Sequence, residues 1–255
     1  KNDLRHAIQN EHLFLLYQPK VNLKKNCVTG VEALVRWNHP QFGIIPPDQF
    51  IGLSEQTGLI KPLTLWVLKT ALNQSETWRK AGLNLRVAVN LSVRSLRDSR
   101  LTEQIVEALQ EFGVPPEKLE LEITESIIMD DPVRAMEIVT CLGKMGIPFA
   151  LDDFGTGYSS LSYLKRLPIS SIKIDKSFIR DMMDAGDDEV IVLSIIELAH
   201  NLGIKVIAEG VEDQKTWDKL SALRCDEIQG YFLSHPISGS EITDWCTQWN
   251  KNHPA

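Results

Sequence analysis

The chain has 255 residues, enough to bury one full core, and its 43% hydrophobic and 24% charged content is that of an ordinary globular domain, not a disordered or fibrous chain. A net charge of −7 argues against a long nucleic acid as partner, although a small anionic substrate is compatible if metals or a few Arg and Lys reverse the local field. Cys27, Cys141, Cys225 and Cys246 lack the spacing of a zinc knuckle or redox pair and read as free thiols of a reducing cytoplasm, no apolar run is long enough to span a bilayer, and no signal-peptide pattern opens the chain.

In chain order, β-rich apolar runs are predicted at Phe14–Pro19, Val28–Trp37, Arg86–Leu91, Leu119–Thr124, Pro148–Asp152, Ser171–Asp175, Lys205–Ala208 and Glu227–Phe232. Helical periodicity falls between them, at Leu63–Ala81, Leu101–Phe112, Pro132–Met145, Leu161–Arg166, Glu189–Leu202 and Thr216–Leu223. Gly113, Gly146 and Gly203 follow helical runs, as helix-ending glycines do. Strand–helix alternation predicts parallel pairing, and about eight strands predict a closed TIM-like (β/α)8 barrel. The turn Asn22–Asn26 is too short for a crossover helix, so the first two strands should pair antiparallel. No linker or low-complexity segment interrupts residues 1–255, which read as one domain; starting at Lys1 without Met, it is expected to be excised from a longer multidomain protein.

Alternate residues of a strand share a face. Glu32, Leu34 and Arg36 share one; Ala88 shares one with Asn90, and Glu120 with Glu122. Ala150 pairs with Asp152 and Lys173 with Asp175, while Glu209 and Gln229 stand at strand ends. One consistent solution turns the apolar set outward to the helices and the polar set inward, toward the C-terminal mouth where barrel sites form. Glu32, Asn90, Glu122, Asp152, Asp153, Lys173, Glu209 and Gln229 would then ring one cavity. Five crowded carboxylates need more compensation than one lysine offers, and divalent cations supply it. Oxygen ligands with one Asn amide, and no inward His or Cys, favour Mg2+ or Mn2+ over zinc.

Each residue also has an ordinary reading. Glu32 could pair with Arg36, Asn90 cap a turn, Glu122 sit on a solvated edge and Asp152-Asp153 open a turn. Lys173 is harder to dismiss, because a Lys between isoleucines in a core strand needs a partner. His39, His200 and His235 share no spacing. Phe154–Tyr158 is Gly-rich but lacks the spacing of a P-loop, and reads as a loop able to gate the acidic pair.

Glu32-Ala33-Leu34-Val35-Arg36-Trp37 resembles the signature of the EAL family, and Asp152–Ser160 resembles its second hallmark. Val89–Ser92, Leu121–Glu125, Ile172–Asp175, Ala208–Glu212 and Gln229–Phe232 match the remaining blocks in order, from Leu4 to about Trp245. The resemblance implies a cyclic-guanylate-specific phosphodiesterase that opens cyclic di-GMP to linear pGpG with one or two Mg2+ or Mn2+ ions. By analogy Glu32, Asn90, Glu122 and Asp152 hold one metal; Asp152 and Asp153 hold a second, with Glu209 nearby or ligating. Water between metals roughly 3.5–4 Å apart attacks phosphorus in line. Lys173 would orient that water or stabilise charge. Glu209 is a candidate base or metal orienter, and Gln229 would brace Lys173 or Glu209. Arg36 resembles a phosphate clamp, with Gln18, Leu34 and Pro47 as further substrate contacts. Glu125 resembles the tether of the 152–160 loop. The resemblance further implies a homodimer, N-terminal sensor or GGDEF domains in the full-length protein, and a cytoplasmic location, alone or as the cytoplasmic part of a membrane-anchored protein. A silent cyclic di-GMP receptor of the same fold, and a barrel enzyme using Lys173 in metal-assisted proton abstraction, are the competing readings.

Overall fold

The computed structural model describes residues 2–10, 12–156, 164–183 and 187–253. Among the described residues there are nine strands: β1 (Leu13–Asn22), β2 (Cys27–His39), β3 (Gly43–Ile45), β4 (Arg86–Asn90), β5 (Leu119–Thr124), β6 (Phe149–Phe154), β7 (Ser171–Ile174), β8 (Lys205–Ala208) and β9 (Glu227–Ile228). Their order is β1-β9-β8-β7-β6-β5-β4-β2, and β1 pairs back onto β2, so the sheet closes into a barrel; β3 hangs on β2 outside the ring. From β2 through β4 to β9 every barrel pairing is parallel, as crossover helices require. β1 is antiparallel to both of its neighbours, β2 and β9, as the short 22–26 turn demands.

The two-residue alternation builds the wall. Val87, Val89, Leu119, Leu121 and Ile123 are buried, and all belong to the apolar core shared with the surrounding helices. The longest helix, Ile60–Lys80, buries Leu63, Val67, Leu68, Ala71, Leu72 and Trp78, the spacing of one helix face. Gly113, Gly146 and Gly203 all have the positive φ of residues that end helices.

Several elements differ from the sequence reading. Helices Asn2–Gln9, Pro47–Thr57 and Gly239–Asn252, and the short β3, were not anticipated. The last of these helices carries a legible start signal: Ser238 and Glu241 form a reciprocal capping box. Helix 47–57 has Pro at its first position but an interior Gly52, which dilutes the periodicity. The expected strand 227–232 shrinks to Glu227–Ile228, because the chain turns at Gly230–Phe232 to pack on Val211. A Cβ at Gly230 would collide with the Val211 backbone. Residues 161–163 of the expected helix Leu161–Arg166 lie outside the described residues. No helix among the described residues is long and apolar enough to cross a membrane.

Candidate active site at the barrel mouth

Lys173 stands at the centre of the site, 1% exposed on β7. Its ammonium lies 2.7 Å from Glu122 Oε2, 2.7 Å from Glu209 Oε1, 3.2 Å from Asp152 Oδ2 and 3.4 Å from Glu32 Oε2. These acids come from β5, the end of β8, β6 and β2, so strands far apart in sequence deliver them to one cation. The Asn90 amide donates to Glu32 Oε1 at 2.7 Å. Gln229 donates to Glu32 Oε2 at 2.7 Å and to Gln18 Oε1 at 2.9 Å. It therefore braces Glu32 and Gln18, not Lys173 or Glu209: beyond β9 its amide faces the β1–β2 side. Gln18 in turn donates to the Ser234 carbonyl at 3.1 Å.

Asp153 reaches the site by a backbone device. Strand alternation alone would send it away from Asp152. The β6–β7 register shifts between Leu151 and Phe154, and Asp153 has φ 55°. This left-handed residue costs a non-glycine roughly 1–2 kcal/mol. It is held by Asp153 N–H donating to Asp152 Oδ1 at 2.9 Å and by the Thr156 hydroxyl donating to the Asp153 carbonyl at 2.8 Å. As a result Asp152, Asp153 and Glu209 each offer an oxygen, all within 4.8 Å of one another. A close set of carboxylate oxygens fits a hard divalent cation.

Electrostatics sort these acids. For Glu32, burial opposes the charge, but Lys173, Lys20 and the Gln229 and Asn90 hydrogen bonds outweigh it and hold the carboxyl at about 2. Burial pushes Glu122 up to about 8, with Glu32 adding and the two lysines opposing. Burial likewise pushes Glu209 up to about 7 against the pull of Lys173. Burial and neighbouring Asp152 raise Asp153. A raised carboxyl binds its proton more tightly in the folded than in the unfolded protein. The stability from Glu122 and Glu209 is therefore complete below the ordinary carboxylate range and is lost as pH rises through about 7 to 8. Glu32 has the opposite sign, and its contribution disappears only as pH falls toward about 2. A cation bound among these acids would displace the protons that burial holds on Glu122 and Glu209. Mg2+ affinity is thus expected to rise between about pH 6 and 8, by up to about tenfold per pH unit for each proton released. Calorimetry in two buffers of different ionisation enthalpy would count those protons; an affinity flat with pH would contradict the assignment.

The sequence reading missed one member of this network. Lys20, on β1 and 2% exposed, lies 2.8 Å from Glu120 Oε1 and 2.5 Å from Glu122 Oε1. Two lysines, not one, compensate the buried acids. Lys20 shares its inward parity with Gln18, a signal visible in the strand. Among the substrate contacts anticipated, Gln18 joins Glu32, Asp152, Lys173 and Glu209 around a polar cleft of about 450 Å3. Leu34 and Pro47 line an adjoining apolar cleft of about 360 Å3 with Val35, Ile51 and Leu63. Arg36 is half-buried and donates to the Val35 carbonyl at 2.9 Å. Glu125 is buried, and neither carboxylate oxygen has a hydrogen-bond partner among the described residues. Its expected tether and the expected gating loop involve residues 157–160, outside the described ones. His200 pairs with Asp226 at 2.8 Å, and His235 stacks on Tyr231 with centroids 4.0 Å apart; neither histidine joins the carboxylates.

A TIM-like barrel whose mouth gathers acids from four of its strands around one lysine defines a class of acidic barrel-mouth sites. The chain belongs to the EAL domain family, whose profile matches residues 1–236. The cyclic di-GMP phosphodiesterase PdeR of Escherichia coli K12 is 39% identical over 249 residues, 98% of this chain and 38% of PdeR. The phosphodiesterase PaMucR in complex with c-di-GMP superposes with a TM-score of 0.91 at 42% identity, covering 94% of this chain and 98% of that one. The FimX EAL domain of Pseudomonas aeruginosa bound to c-di-GMP superposes at 0.86 with 26% identity, covering 92% and 95%. The chain spans between 31% and 41% of the length of the first curated relatives that it matches.

Proposed function

We propose that this domain hydrolyses cyclic di-GMP to linear pGpG with one or two Mg2+ or Mn2+ ions. The observation that carries this reading is the convergence of Glu32, Glu122, Asp152 and Glu209 on Lys173. Glu32, Asn90, Glu122 and Asp152 would hold one ion, and Asp152 and Asp153 a second, with Glu209 alongside. Bound there, the ions would lower the pKa of a water and neutralise charge on the phosphate.

The chain's own groups do the rest. Lys173 is fixed by four carboxylates and holds a positive charge beside the reacting phosphate. Glu209, 2.7 Å from the Lys173 ammonium at the end of β8, would serve as the base or orient a metal. Arg36 shares its strand parity with Glu32 on β2 and would release the Val35 carbonyl to offer a fork of donors to a phosphate oxygen. The apolar cleft around Leu34 and Pro47 would receive an apolar part of the substrate. The bulge at Asp152-Asp153 presents two adjacent carboxylates to one side, which a regular strand cannot do.

Purified domain incubated with cyclic di-GMP is expected to yield pGpG with Mg2+ or Mn2+ and none with excess chelator, followed by chromatography of the nucleotides. Tight binding with the cyclic dinucleotide left intact in both metals would replace the enzyme with a receptor.

A further inference from the structure

We propose that Lys20 is a positioning residue for the metal centre, gripping Glu122 from the floor of the barrel so that its second oxygen faces the mouth. The proposal rests on the reading of Glu122 as a ligand. Glu122 is 0% exposed, and its two oxygens are held by different lysines: Oε1 by Lys20 at 2.5 Å and Oε2 by Lys173 at 2.7 Å. Each cation holds a different oxygen, which restricts rotation of the carboxylate. Lys173 divides its contacts among four acids at the mouth, so its grip on Glu122 must loosen when a cation enters there. Lys20 has no such competition. Its other partner is Glu120, which Arg86 holds in turn at 3.4 Å.

Neutralising Lys20 needs only Glu120. The additional bond to Glu122 is what couples the floor to the site. The geometry depends on the antiparallel β1: Lys20 lies opposite Gly30 of β2, which puts no side chain into the barrel, and from there it reaches β5. No water need intervene, because both side chains are almost wholly buried. An outer partner that orients a ligating carboxylate typically contributes 10–100-fold to metal affinity.

The test compares Mn2+ binding by calorimetry on four metal-free proteins: wild type, Lys20→Met/Glu120→Gln, Lys20→Arg and Glu32→Ala. The double variant removes the Lys20–Glu120 pair together; Arg86, which loses Glu120 as well, is partly exposed and can be solvated. It is expected to bind Mn2+ at least about tenfold more weakly, with KM for cyclic di-GMP changed less than about twofold, while Lys20→Arg restores affinity to within about threefold. A double variant that melts cooperatively and binds Mn2+ like wild type overturns the role of Lys20. If it does not melt cooperatively, Lys20→Gln is measured instead and decides by the same affinity. Glu32→Ala separates the two levels: loss of Mn2+ binding there with wild-type binding in the Lys20 variants sinks only this inference, whereas wild-type binding in Glu32→Ala sinks the metal site itself.

Discussion

Glu32→Ala is expected to weaken Mn2+ binding by more than about 100-fold, beyond the loss of even a strong outer partner, and to abolish turnover. Glu32 is the acid that the site holds most firmly ionised, at about 2, because Lys173, Lys20, Gln229 and Asn90 all favour its charge over the cost of burial. Removing it takes away an oxygen donor and also frees the Asn90 and Gln229 amides that it orients. The fold should survive, since the deletion relieves rather than creates crowding of like charge. Titration calorimetry and nucleotide chromatography on the same preparation check both halves. Wild-type turnover in this variant would remove Glu32 from the site.

Lys173→Met is expected to destabilise the metal-free protein by about 3–5 kcal/mol, the usual cost of leaving a buried charge without its partner. The four carboxylates that share its ammonium would face one another with only Lys20 nearby, on Glu122 alone. Saturating Mg2+ should return much of that stability, because a divalent cation supplies the charge the lysine supplied. Turnover should stay lost. Melting curves above about pH 8, where Glu122 and Glu209 have given up their protons, in chelator and in excess Mg2+ give the answer: an unchanged melting temperature in chelator would mean that the ammonium does not stabilise the cluster, and the electrostatic description of the site would fail.

These outcomes turn on features with different visibility in the sequence. Period-two alternation in Val87–Asn90 and Leu119–Ile123 identifies a strand whose apolar residues pack on helices and whose polar residues face inward, and the barrel obeys it. Glu32, Asn90, Glu122 and Lys173 are legible on that basis because each sits within a regular strand, and Asp152 because β6 is regular up to Leu151. Asp153 is legible only as a neighbour. Parity sends it the wrong way, and a register shift with a left-handed residue brings it back. Lys20 was overlooked although its parity matches Gln18, because β1 contributed no acid to draw attention inward. Gln229 was expected to brace Lys173 or Glu209, but it turns to Glu32 and Gln18 where the chain leaves β9 after two residues.

By itself the sequence determined the alternation of strands and helices, the antiparallel entry through β1 and β2, and an inward acidic set that calls for compensating cations. Those are local properties, written in spacing of two and of three to four residues and in a turn too short for a helix. Only the tertiary structure decided who compensates whom: that Lys173 serves four acids, that Lys20 grips Glu122 from below, and that Asp152 and Asp153 face the same side. Closure of the ring brings residues some 100 positions apart, such as Lys20 and Glu120, within 2.8 Å, and no local pattern encodes a distance across a barrel.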